Sequence, residues 1–194
     1  ETSIPETDLI VIPGGFTFGD YLRCGSIAAN SPIMNDIIKK ASNGLPTLGI
    51  CNGFQILTES GLLPGTLIRN DCLSFLCKTV SIRVENNETK FSNKYKQKEI
   101  INIPIAHNEG NFFANEDTLK KIKDSNQIIF KYCDQNGEVN EKSNPNGSIE
   151  NIAGITNEKG NVLGMMPHPE RATCKITKLT DGENLFKSIY EFLS

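Results

Sequence analysis

Twice within the first sixty residues, a short apolar run stops at glycine and gives way to a segment with helical spacing. Residues 8–13 (Asp-Leu-Ile-Val-Ile-Pro) end at Gly14-Gly15. After Ser31-Pro32, the residues Ile33, Met34, Ile37, Ile38 and Ala41 recur at helical intervals until Asn43-Gly44. Residues 45–50 (Leu-Pro-Thr-Leu-Gly-Ile) form a second such run, and residues 53–60 a short second helix closed by Gly61. A strand apolar on both faces must be covered on both faces, and a strand-helix repeat does so by laying its helices over a sheet. The expected fold is α/β: a central, largely parallel sheet with helices on both faces and ligands beyond the carboxyl ends of the strands.

Further strands are expected over residues 75–84, 99–103, 127–132, 152–156 and 162–166. A last helix should start at Asp181 as cap and run through Leu193, with Leu185, Ile189 and Phe192 on one face. Residues 134–150, rich in Asn with Gly and Pro, read as a loop with little to fold around. At 194 residues, with neither an internal repeat nor a linker, the chain is expected to be a single domain over residues 1–194.

A net charge of −3 without a basic run leaves no electrostatic footprint for nucleic acid or an anionic membrane, so small molecules and proteins are the expected partners. The six cysteines (24, 51, 72, 77, 133 and 174) form no C-x-x-C pair, and there are only two histidines. That pattern argues against a zinc frame or a disulfide framework and for reduced thiols in the cytoplasm. No apolar stretch is long enough to span a membrane, and the opening residues lack the regions of a signal peptide.

Gly49-Ile50-Cys51-Asn52-Gly53 joins a buried strand to a helix, the cysteine counterpart of a nucleophile elbow. The sharp turn lifts the side chain above the sheet, and the helix N-terminus favours thiolate. A lone cysteine is more often a small buried hydrophobe, and the flanking glycines are what shift the reading towards a nucleophile. In His168-Pro169-Glu170, extended residues two apart point the same way, so the carboxylate can fix the imidazole tautomer while the other ring nitrogen serves a thiol. By itself that triplet is a turn histidine beside a solvated glutamate. Gly14-Gly15 is a tight turn, or a loop whose N–H groups, with that of Asn52, hold an oxyanion. His107 is left unassigned between a second functional group and a satisfied loop histidine.

Taken in order, these motifs resemble class I, triad-type glutamine amidotransferases. The segment 14–25 (Gly-Gly-Phe-Thr-Phe-Gly-Asp-Tyr-Leu-Arg-Cys-Gly), residues 49–57 and residues 166–171 (Met-Pro-His-Pro-Glu-Arg) are similar to the glutaminase subunits of phosphoribosylformylglycinamidine (FGAM) synthases. The resemblance implies a flavodoxin-like α/β fold, a glutamyl thioester on Cys51, His168 as general base and then acid, Glu170 as its orienter, and Gly15 and Asn52 as oxyanion donors. It implies that Gly14, Phe16, Gln55, Asn70 and Phe75 line the L-glutamine site. It further implies a large FGAM synthetase subunit that carries the ATP and Mg chemistry, a small third subunit that bridges the two, and no cofactor or metal on this chain. Where family members often have N-x-S-x-x-F, residues 70–75 read Asn-Asp-Cys-Leu-Ser-Phe, and a thiol is the poorer donor. Family members carry a further strand and helix before Asp8, so residues upstream of Glu1 are expected in the full protein. The competing readings are a glutaminase of GMP or CTP synthase type, which residues 20–25 disfavour; a non-enzymatic or chaperone-like relative of the same fold, which the histidine-glutamate pair disfavours; and a degenerate glutaminase retained as a binding or regulatory subunit, which the catalytic residues leave open.

Overall fold

The computed structural model describes residues 2–20 and 23–194. Tyr21 and Leu22, within the segment that carries part of the resemblance, lie outside them, as do Glu1 and the side chain of Asp20.

The two strand-helix units form as the patterning requires. Strand β1 (Ile10–Ile12) is followed by a short helix α1 (Ser26–Ala29), by α2 (Pro32–Ser42), by β2 (Thr47–Ile50) and by α3 (Asn52–Glu59). β2 is buried at every residue and pairs in parallel with β1 on one side. Helix α3 is buried from Asn52 through Thr58 because it has neighbours all round. Phe54 and Leu57 enter the main core, whereas Ile56 joins Ile10, Ala28, Met34 and Ile37 in a second cluster under α1 and α2.

The chain continues through β3 (Thr66–Ile68), β4 (Leu76–Val84), β5 (Ile100–His107), β6 (Asn111–Phe113), α4 (Glu116–Asp124), β7 (Ile128–Cys133), β8 (Ile152–Thr156), β9 (Val162–Met165) and α5 (Glu183–Leu193). Seven strands make one sheet in the order β1-β2-β9-β8-β7-β4-β5, and β3 with β6 makes a small separate ribbon. The α/β class is as expected, with parallel pairing confined to β1, β2 and β9, the strands that carry the motifs. The other four pairings are antiparallel. Short connections such as the turn between β8 and β9 impose antiparallel pairing, since a parallel partner needs a long crossover.

Several elements depart from the sequence reading for local reasons. β5 runs through Pro104 to His107 rather than stopping at residue 103, because it is the edge strand and the missing N–H faces away from β4. The Pro104 carbonyl on that same outer side accepts a hydrogen bond from the His168 N–H at 2.8 Å. Asp181 does not cap α5. Gly182 does, and the Asp181 carboxylate accepts from the Asn102 N–H at 2.7 Å. Leu185 and Ile189 are buried on the α5 face as expected, whereas Phe192 is largely exposed. Helix α4 was not foreseen, although Asn115 caps it by accepting from the Thr118 N–H at 2.8 Å. Residues 134–150 are ordered by their own amides: Asn140 and Ser143 form a reciprocal cap, and Asn146 and Ser148 are buried. Among the described residues no helix is long and apolar enough to cross a membrane.

Candidate active site

Cys51 stands between the end of β2 and the first turn of α3, with φ 53° and ψ −107°. A positive φ with this ψ is a sparsely populated conformation, which costs a non-glycine residue on the order of 1–3 kcal/mol and persists only where its surroundings enforce it. They do: the Cys51 N–H donates to the Met165 carbonyl at 2.8 Å, and its own carbonyl accepts from the N–H groups of Phe54 and Gln55. The start of α3 can lie this close to β1 only because residue 53 is glycine, since a β-carbon there would overlap the Ile12 carbonyl oxygen. The thiol lies 3.6 Å from the carbonyl oxygen of Ala106 on β5, so the far edge of the sheet reaches the nucleophile on β2.

His168 follows β9 and is 2% exposed. Its Nδ1 lies 2.7 Å from Glu170 Oε1. Burial raises the Glu170 pKa, but the hydrogen bond and charge of His168 outweigh it and hold the carboxyl below its ordinary value. An ionised carboxylate only accepts, so Nδ1 carries a proton, and in the neutral imidazole Nε2 is the nitrogen that holds the lone pair. Nε2 is buried and has no hydrogen-bond partner among the described residues. The imidazole and the thiol converge on Gly14. A β-carbon placed there would lie 2.7 Å from His168 Cε1 and 3.4 Å from Cys51 Cβ. Glycine at this position is therefore what allows the loop after β1 to close over the pair.

The three side chains open into a cleft of about 480 Å³, a volume large enough for a small molecule. Gly14, Gly15, Phe16 and Phe75 also line it, and the Phe16 and Phe75 rings are in tilted contact with centroids 6.1 Å apart. Asn52, as the first residue of α3, has a backbone N–H with no acceptor inside the helix. A thiol nucleophile, an imidazole oriented by a carboxylate, and N–H groups at a helix start are the parts needed for acyl transfer from an amide.

A family model described as the CobB/CobQ-like glutamine amidotransferase domain matches residues 1–190. This chain is a glutamine amidotransferase. A phosphoribosylformylglycinamidine synthase subunit PurQ from Synechocystis sp. is 57% identical to the amidotransferase over 188 residues, which is 97% of this chain and 84% of that protein. The structure of PurLQS from Thermotoga maritima contains a chain that superposes with a TM-score of 0.87 at 42% identity, covering 99% of this chain and 82% of that one. The glutaminase domain of Trypanosoma brucei CTPS, solved with acivicin, shares the fold alone, with a TM-score of 0.58 at 13% identity over 95% of this chain and 71% of that one.

Two other expected substrate contacts in the amidotransferase are engaged elsewhere. Gln55 is buried, with its amide bonded to Asn52 and to the Glu109 carbonyl. Asn70 is fully buried, with Nδ2 donating to the carbonyls of Ser74 and His107 and Oδ1 accepting from the Gly110 N–H. Neither is among the residues lining the cleft. Cys72 is exposed and its thiol donates to the Ser74 carbonyl, away from the nucleophile.

His107 is a buried structural imidazole. The Asn70 amide is oriented by its two carbonyl acceptors, so its Oδ1 must accept from His107 Nδ1 at 3.1 Å. Burial, with the charge of His168 as a lesser cause, lowers its pKa to about 4, so it is neutral near pH 7. Ala106, Cys77 and Phe186 also line the cleft, and nothing local in the sequence marks a residue brought in by a distant strand or helix.

Proposed function

We propose that this amidotransferase is the glutaminase subunit of an FGAM synthase, hydrolysing L-glutamine to glutamate and ammonia. The observation that carries the reading is the convergence of Cys51 and His168 on Gly14, with Glu170 on the far imidazole nitrogen. The 57% identity to a synthase subunit over 97% of the chain supports the choice of acceptor.

His168 Nε2 takes the Cys51 proton, and the thiolate attacks the side-chain carboxamide carbon of glutamine. The oxyanion is held by the N–H groups of Gly15 and Asn52, while Glu170 steadies the imidazolium. The imidazolium then gives its proton to the departing nitrogen, releasing ammonia and leaving a glutamyl thioester on Cys51. Water, deprotonated by His168, attacks the thioester, and glutamate leaves as the thiol is restored. Gly14, Phe16 and Phe75 shape the pocket, and the placement of Gln55 and Asn70 makes them supports of it. Ammonia passes to a synthetase subunit that holds ATP and Mg²⁺, with a small third subunit bridging the two, in the cytoplasm.

The test is glutamate release from glutamine by the full-length protein, alone and with the cognate synthetase, ATP and formylglycinamide ribonucleotide. Release should rise with the synthetase and vanish in Cys51→Ala, while added ammonia still supports the synthetase. Glutamine turnover that persists without Cys51, or is absent under every condition, contradicts the reading.

A further inference from the structure

The two proposed oxyanion donors sit on different pieces of chain: Gly15 on the loop after β1, and Asn52 at the start of α3. Their spacing must hold to about half an ångström if both are to reach one oxygen. The loop does not fix that spacing by itself. Immediately beyond Thr17 its backbone turns left-handed at Phe18 (φ 57°, ψ 26°) and Gly19 (φ 69°, ψ 17°), and at Phe18 such a conformation persists only when neighbours enforce it.

From this we infer that Thr17 is a positioning residue, locking the glycine loop onto the start of α3 through the Asn52 side chain; the inference rests on the oxyanion reading given above. The Thr17 hydroxyl donates to Asn52 Oδ1, and the Thr17 N–H approaches the same oxygen at 3.4 Å. With Oδ1 accepting, Asn52 Nδ2 donates to Gln55 Oε1 at 2.8 Å, and Gln55 Nε2 then donates to the Glu109 carbonyl at 2.6 Å. The Glu109 carboxylate in turn accepts from the Cys24 thiol. Each amide is oriented by its neighbour, so the chain has one direction, and turning either amide over would set donor against donor. Asn52 and Gln55 are buried, which makes an unmade bond costly and the arrangement rigid. The hydroxyl of Thr17 starts the chain at a point two residues from Gly15. Valine has the same shape and lacks only that donor.

The experiment compares wild type, Thr17→Val and Thr17→Ser in the synthetase complex, with three readouts: kcat and KM for glutamine hydrolysis, the rate of Cys51 alkylation by iodoacetamide, and affinity for glutamate γ-semialdehyde. The aldehyde forms a hemithioacetal with the thiol and places an oxyanion in the same position as the reaction does. Alkylation at a saturated carbon forms no oxyanion and reports only on the thiolate. Thr17→Val should lose about 10²-fold in kcat and in aldehyde affinity, the scale of losing one oxyanion donor. KM should stay within about two-fold and alkylation should be unchanged, and Thr17→Ser should recover most of the loss. Unchanged kcat in the valine variant overturns the inference, as does an equal fall in alkylation or a serine variant as impaired as valine. If wild-type hydrolysis and aldehyde capture do not depend on Cys51, the reading of the site has failed, and this inference with it. If they do and Thr17→Val behaves as wild type, this inference alone has failed.

Discussion

At the scale of single residues, two histidines share a neighbourhood and do opposite work. His168 is poised to exchange a proton, whereas His107 is kept from charging by burial. The pKa of His107 falls from 6.5 to about 4 on folding, so the unfolded chain binds its proton more readily in that interval. Its contribution to stability is complete above 6.5 and is lost as pH falls towards 4, a span worth on the order of 3 kcal/mol. Urea unfolding at pH 7.5 and pH 4.5 should show that loss in wild type and a much smaller one in His107→Asn, which keeps a donor for Asn70. Parallel losses would contradict it. Glu170 is likewise depressed, from 4.5, and its contribution is present above that value and lost as pH falls below it. Glu170→Gln removes the carboxylate that fixes the His168 tautomer and should lower kcat about 10²- to 10⁴-fold with little change in KM, as read from steady-state kinetics. The elbow position of Cys51 and the contact of His168 with Glu170 were legible in the sequence because these relations are local, a turn between strand and helix and a two-residue step. Gln55 and Asn70 were not, because what a side-chain amide bonds to is decided by carbonyls far along the chain, at Glu109 and His107.

Among elements, the joint of β1, β2 and α3 governs the site. Gly53→Ala would drive a β-carbon into the Ile12 carbonyl. Because the clash is with backbone rather than a movable side chain, it should cost on the order of 2–4 kcal/mol. A shift in denaturation midpoint at unchanged slope would check this, and a variant within about 0.5 kcal/mol of wild type would contradict it. Asn115→Ala, which removes the cap of α4 far from the cleft, should cost about 1 kcal/mol and leave glutamine hydrolysis unchanged. The two strand-helix units were readable because both periodicities were strong and punctuated by glycine. Proline hid the end of β5, since its tolerance depends on β5 being an edge strand, which no local pattern states. The asparagine-rich segment is a loop as expected, and what the sequence did not show is that its own amides cap its turns and that Asn146 and Ser148 are buried.

Across the whole molecule, the sheet curls so that its last strand returns to its first half. β5 stands at the opposite edge from β1, yet the Pro104 and Ala106 carbonyls meet the His168 N–H and the Cys51 thiol. The parallel strands thus supply the nucleophile and base, and the antiparallel half supplies a wall of the cleft. A chain assembled this way should hydrolyse an amide through a covalent intermediate on one named thiol, and that intermediate is the most direct test. The full-length protein turning over glutamine with its synthetase is quenched in acid, digested, and the peptide containing Cys51 is weighed. A glutamyl adduct on Cys51, abolished by free hydroxylamine and absent in His168→Ala, is the expected result. Glutamate formed at an undiminished rate with Cys51 unmodified, or an adduct on any other cysteine, would contradict the account.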